Sequence, residues 1–111
     1  MKVIVLRKVV ACLENLIQVL YDEEYFSYKE VSRNYVKELY AEIEKQLPTK
    51  LHKPAPEYFE KYGKGMYYAV FKKSKRTSWY VFFRMYRKDN EIIYQIRYVA
   101  NNHIVAQYFL P

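Results

Sequence analysis

Glycine and proline are scarce in this chain of 111 residues, with two and four copies. Flexible linkers and low-complexity tracts are thereby excluded. Cys12 is the only cysteine, so no intrachain disulfide can form. The two histidines, His52 and His103, do not combine with it in any familiar zinc spacing. Long apolar runs are also lacking. The N-terminal stretch MKVIVLRKVVACLENL is interrupted by Arg7, Lys8 and Glu14, too soon for a membrane span and in the wrong places for a signal peptide. A cytoplasmic protein without a membrane partner is the expectation. No internal repeat is visible, and the length suits one domain over 1–111 with a single two-layer core.

What the chain does have is apolar content of 51%, enough for a packed globule, and 14 tyrosines. Tyrosine fills cores when its hydroxyl finds a partner, and it also stacks on nucleic-acid bases. The net charge is +7, unevenly spread. Residues 1–47 carry seven Lys/Arg against eight Asp/Glu, whereas residues 48–111 carry twelve against four. The whole positive excess therefore lies in the C-terminal half. It suggests an acidic or polyanionic partner, the plain alternative being charge that serves solubility.

Met1 to Leu6 is rich in β-branched residues and suits a short strand. Val9, Leu13, Leu16, Ile17 and Leu20 form a helical stripe, with Cys12 expected in the core beside it. Ser27 and Glu30 make a capping box for a second helix, carried by Val31, Tyr35, Leu39, Ile43 and Leu47 and stopped by Pro48. The segment from Pro48 to Pro56 reads as a loop in which His52 is solvated. EYFEKY, begun after Pro56 and closed by Gly63, reads as a short helical turn. Three strand-like runs follow: Met66–Phe71, Trp79–Tyr86 and Ile92–Ala100, with KKSKR (Lys72–Arg76) and Asp89-Asn90 at the turns. Ile104–Phe109 reads as a tail strand or a docked C-terminus. The expected fold is α+β, a helical hairpin packed on a small, mostly antiparallel sheet in the order β-α-α-β-β-β.

A turn at Asp89-Asn90 pairs Lys88 with Glu91, and an unbroken register then pairs Met85 with Tyr94, Phe83 with Ile96, Val81 with Tyr98 and Trp79 with Ala100. That face is nearly all apolar and should meet the helices. The other would hold Tyr80, Phe82, Arg84 and Tyr86 from one strand and Ile93, Gln95, Arg97 and Val99 from the next, with Arg97 opposite Phe82. Two adjacent guanidinium groups among tyrosines suit phosphate binding and base stacking. An exposed sheet face kept soluble by its arginines is the plain alternative.

WYVFFRMY and IIYQIRYVANNH, with the proline-bearing passage IEKQLPTKLHKPAP, resemble segments of the RelE/ParE toxin superfamily of bacterial toxin–antitoxin and plasmid-stabilisation modules. The resemblance implies a first strand, a helical hairpin and a terminal three-stranded meander. It further implies a toxin neutralised by a cognate antitoxin laid over the helical hairpin or the basic face. RelE-like members cut mRNA on the ribosome without a metal or other cofactor, and ParE-like members poison DNA gyrase. In the nuclease reading a base, an acid and cations serve attack of the 2′-oxygen on the adjacent phosphate. Arg84 and Arg97 would then clamp the phosphate and His103 would act as acid or base. Tyr86 or Tyr108 would supply a phenol. Lys72, Lys73, Lys75 and Arg76, with Tyr80 and Tyr86, would hold nucleic acid. The family's lysine pair before the meander is absent in its usual form, Lys61 and Lys64 standing nearest. A small basic nucleic-acid-binding or interaction module without toxicity is the reading from outside the family.

Overall fold

The computed structural model describes residues 2–22, 29–73, 75 and 77–109, and side chains throughout these except at 15–22, 29 and 30. In chain order the elements are β1 (Lys2–Val5), α1 (Arg7–Asp22), α2 (Lys29–Gln46), β2 (Lys53–Pro54), β3 (Tyr67–Lys72), β4 (Ser78–Lys88), β5 (Glu91–Asn101) and α3 (Asn102–Val105). Short 3-10 segments lie at Leu47–Thr49, Glu57–Tyr62 and Ala106–Tyr108. The strands form one mixed sheet in the order β1-β5-β4-β3-β2, with β1 parallel to β5 and the other pairs antiparallel. The fold is α+β, as expected. It has five strands where four were expected, because Lys53-Pro54, inside the expected loop, pairs with Tyr67-Tyr68. Among the described residues no helix is long and apolar enough to cross a membrane.

α1 and α2 cover one face of the sheet. Val9 and Leu13 from α1, and Val36, Leu39 and Ile43 from α2 with Leu47 just beyond it, bury against Ala69, Phe71, Trp79, Val81, Phe83, Tyr94 and Ile96. The buried stripe of α2 is Ser32, Val36, Leu39, Ile43, Leu47, while Val31 is 43% exposed. The expected run of fours fails for a geometric reason. Each step of four advances about 40° beyond a full turn, so Val31 ends roughly 160° from Leu47. The single step of three, from Val36 to Leu39, turns the stripe back and keeps it on one side. Cys12, expected in the core, is exposed, because one residue away from Leu13 the helix has already turned it outward. Polar ends of the buried rings are answered: Trp79 Nε1 donates to Tyr35 Oη at 2.9 Å, and Tyr94 Oη donates to the Pro48 carbonyl at 3.4 Å. Ser27 lies outside the described residues, as do the side chains of Glu30, Leu16, Ile17 and Leu20.

The β4–β5 hairpin turns at Asp89 and Asn90, both at positive φ (51° and 63°), as a two-residue hairpin of this twist requires. Its register is the expected one from Lys88↔Glu91 to Phe83↔Ile96. There it shifts. Phe82 pairs with Tyr98, Val81 with Val99, Tyr80 with Ala100 and Trp79 with Asn101. Arg97 is the extra residue of a β-bulge, and every side chain of β5 beyond it changes face. The expected Val81–Tyr98 and Trp79–Ala100 pairs are therefore replaced. Val99 joins the helix-facing core, while Tyr98 and Ala100 join the opposite face.

That opposite face is not simply open to water. Phe82 is completely buried there, in a second core with Phe59, Met66, Ala100 and Val105. Two short segments close it: the 57–62 turn, and the C-terminal piece formed by α3 and the 106–108 turn. Asn101 caps α3 by accepting from the Ile104 amide at 3.1 Å, and Asn102 Oδ1 accepts from the Ser78 amide at 3.0 Å. The C-terminus is thus docked as helical turns, and no described strand forms there.

Candidate functional site

The second sheet face divides into a sealed part and an open part. In the sealed part, Phe59 stacks on Phe82 with ring centroids 4.3 Å apart, and Phe109 lies 4.8 Å from Tyr68 and 5.1 Å from Tyr80. The pairing Tyr68↔Phe82 puts Tyr68 on this face, and Tyr67 faces the helices. The spacing Tyr58, Lys61, Tyr62 sets three side chains along one side of the 57–62 turn. Tyr58 stacks on Tyr108 at 3.6 Å and 8°, and Tyr62 stacks on Tyr98 at 4.0 Å and 5°. Lys61 joins the two pairs. Its ammonium lies 4.1 Å from the Tyr58 ring centroid and 5.4 Å from that of Tyr62, and it donates to Tyr58 Oη at 2.8 Å.

The hydroxyls of this column titrate unequally. The hydrogen bond from Lys61, followed by one with Tyr108, lowers the Tyr58 pKa. Lys61 is raised by the same bond, and Tyr108 is raised chiefly by its bond with Tyr58. Burial, then a hydrogen bond with Tyr62, pushes Tyr98 up to about 12. The arrangement holds one exposed phenol beside a cation, where release of its proton is eased.

The open part carries Arg84, exposed on β4 opposite Gln95, and Tyr86, 39% exposed. Arg97 is half-buried at the bulge. Its Nη1 donates to Gln95 Oε1 at 2.9 Å, and its Nε donates to the Tyr62 carbonyl. Gly63 permits this approach: a Cβ there would sit 2.7 Å from Arg97 Nε and 2.9 Å from Cδ, at φ +155°. Arg97 is therefore not opposite Phe82; it reaches instead the side chain of Gln95, the residue opposite Arg84. His103 lies exposed on α3, beyond the Trp79↔Asn101 pair, which stands five residues along β4 from Arg84, roughly 17 Å at strand rise.

The other expected contacts disperse. Lys72 and Lys75 are exposed, Lys73 is half-buried in an ion pair with Glu42 of α2 at 3.0 Å, and Arg76 lies outside the described residues. Tyr80 belongs to the second core. His52, expected in solvent, packs edge-on against Tyr67 and Phe83 (centroids 5.2 and 5.7 Å) and donates from Nδ1 to the Lys50 carbonyl at 3.3 Å. Pairing of β2 with β3 carries it there. Tyr58, Phe59, Tyr62 and Tyr98 were not foreseen as part of this face, although the spacing within EYFEKY is a signal for the first three.

No family model, curated protein or solved structure matches this chain.

Proposed function

We propose that the chain is a toxin-like component of a bacterial toxin–antitoxin module, acting on ribosome-bound mRNA through the open part of its second sheet face. The observation that carries this reading is that exposed Arg84 stands opposite Gln95, whose side chain accepts from Arg97, beside exposed Tyr86. Two guanidinium groups and a phenol ring offer phosphate contacts and a stacking surface without any need for a metal. The order of first strand, helical hairpin and terminal antiparallel strands supports the same reading, as does the basic C-terminal half.

A second reading, a non-catalytic inhibitor that binds a target such as DNA gyrase, is favoured by the position of His103. It follows the Trp79↔Asn101 pair, five residues along β4 from Arg84, at the other end of the strand pair from that arginine. Expression in bacteria tests both. Growth arrest that Arg84→Glu relieves, with new 5′ ends in ribosome-bound mRNA, is the outcome expected of the first reading. Arrest with intact mRNA and lost supercoiling activity would select the second. Normal growth at full expression, with the folded protein recovered, would overturn both.

A further inference from the structure

β1 is too short to cover β5. Its register ends at Val5↔Ile96, and the Leu6 amide makes the last bond, to the Ile96 carbonyl at 3.3 Å. The chain then turns into α1. Among the described residues no strand continues beside Tyr98–Asn101, so the outer edge of β5 is left without a ladder partner there. A cavity of about 140 Å³ lies against this same edge, lined by Lys8, Val9, Cys12, Tyr62, Arg97, Tyr98 and Val99. α1 forms its roof, the 57–62 turn its floor, and the edge of β5 its back wall. The bulge shapes the slot by pointing Tyr98 to the floor side and Val99 to the roof side.

We propose that this slot takes an extended acidic peptide of a partner protein, which continues the sheet where β1 stops and places one large apolar side chain in the cavity. Three properties choose that occupant. An open strand edge recognises extended backbone through main-chain hydrogen bonds. The cavity is close in volume to the roughly 150 Å³ that accommodates a benzene ring, which suits one leucine-sized group. Its two charged lining residues, Lys8 and Arg97, are both cationic, and no carboxylate lines it. The same two cations disfavour self-pairing, because a second copy would bring like charges to this edge. The inference goes beyond the toxin-like reading and stands without it.

Cys12 is exposed at this slot and is the single thiol of the chain, so it reports occupancy directly. The probe is the blocked peptide Glu-Val-Glu-Leu-Glu-Val, titrated into the full-length protein while Cys12 alkylation is timed. The expected result is saturable slowing to a plateau about tenfold lower, with exchange protection of the Val99 and Asn101 amides. Lys8→Glu should weaken the apparent affinity about threefold. Cys12→Phe, read by amide shifts, should abolish binding while leaving the folded spectrum intact. Unsaturated or absent slowing would overturn the proposal, as would binding that survives Cys12→Phe. Slowing that follows the protein's own concentration would assign the slot to a second copy instead. Slowing by oligouridylate and not by the peptide would assign it to nucleic acid.

Discussion

On one face of the sheet, two long helices press Val9, Leu13, Val36, Leu39, Ile43 and Leu47 onto the strands. On the other, a 3-10 segment and a short C-terminal helical segment do the covering, with the rings of Phe59, Tyr58, Tyr62, Tyr108 and Phe109 and only Val105 as a buried aliphatic group. The difference follows from how much backbone each layer supplies. A helix of 18 residues repeats its contact every turn, so small aliphatic groups suffice. A 3-10 segment of six residues offers few positions, so each must bury a large surface, and aromatic rings do that best. The tyrosine richness is in good part the signature of the second layer.

Truncating the most deeply buried ring of that layer should have the largest effect. Phe59→Ala is expected to cost about 3–5 kcal/mol in urea unfolding, comparable to Leu39→Ala on the helix face at about 2–5 kcal/mol. A loss below about 1 kcal/mol for Phe59→Ala would mean that the second face is only loosely covered. Next comes Gly63→Ala, which must move Arg97 and strain a backbone at φ +155°. About 1–3 kcal/mol is expected, partly recovered in the double variant with Arg97→Ala, because the smaller side chain removes the clash. Additive losses would show that the two residues do not touch.

Alkaline titration probes the column itself. The Tyr98 phenol, pushed up to about 12 by burial, binds its proton more tightly folded than unfolded. Its contribution to stability is therefore complete below the unfolded value near 10 and is lost as the pH rises through about 12. Tyr98→Phe should flatten that part of the stability curve. At the lower end of the column, Lys61→Gln should raise the titration of Tyr58, seen by carbon-13 shifts of the tyrosine ring, since the ammonium bond that favours the phenolate is gone. The smallest effect belongs to the helix side, where Glu42→Gln breaks the half-buried pair with Lys73 at about 0–1 kcal/mol.

The elements that were legible in the sequence are those with a period or a cap. The helix from Arg7, the 3-10 turn closed by Gly63, and the turn at Asp89-Asn90 all follow from local chemistry. The register failed at one residue. RYVAN continues the alternation of IIYQI, and nothing in that alternation marks Arg97 as an insertion. What rewards the bulge is distant in sequence: Tyr62 stacks on Tyr98, and the Tyr62 carbonyl accepts from Arg97. A two-residue strand such as Lys53-Pro54 is illegible for a similar reason, since its pairing depends on Tyr67 and Tyr68 being in place. Of the candidate site, the place of Arg84 opposite Gln95 was readable from the hairpin, and that of Arg97 was not. The position of His103 depended on how the chain left β5, and Asn101 settles that by capping a helix there.

Nuclear Overhauser spectra of the aromatic rings test the closed second face most directly. The account predicts strong contacts between Phe59 and Phe82, and between Tyr58 and Tyr108, alongside the Tyr62–Tyr98 pair that fixes the bulge. A Phe82 ring that shows contacts only within its own sheet, with Phe59 and Tyr108 in solvent, would contradict it.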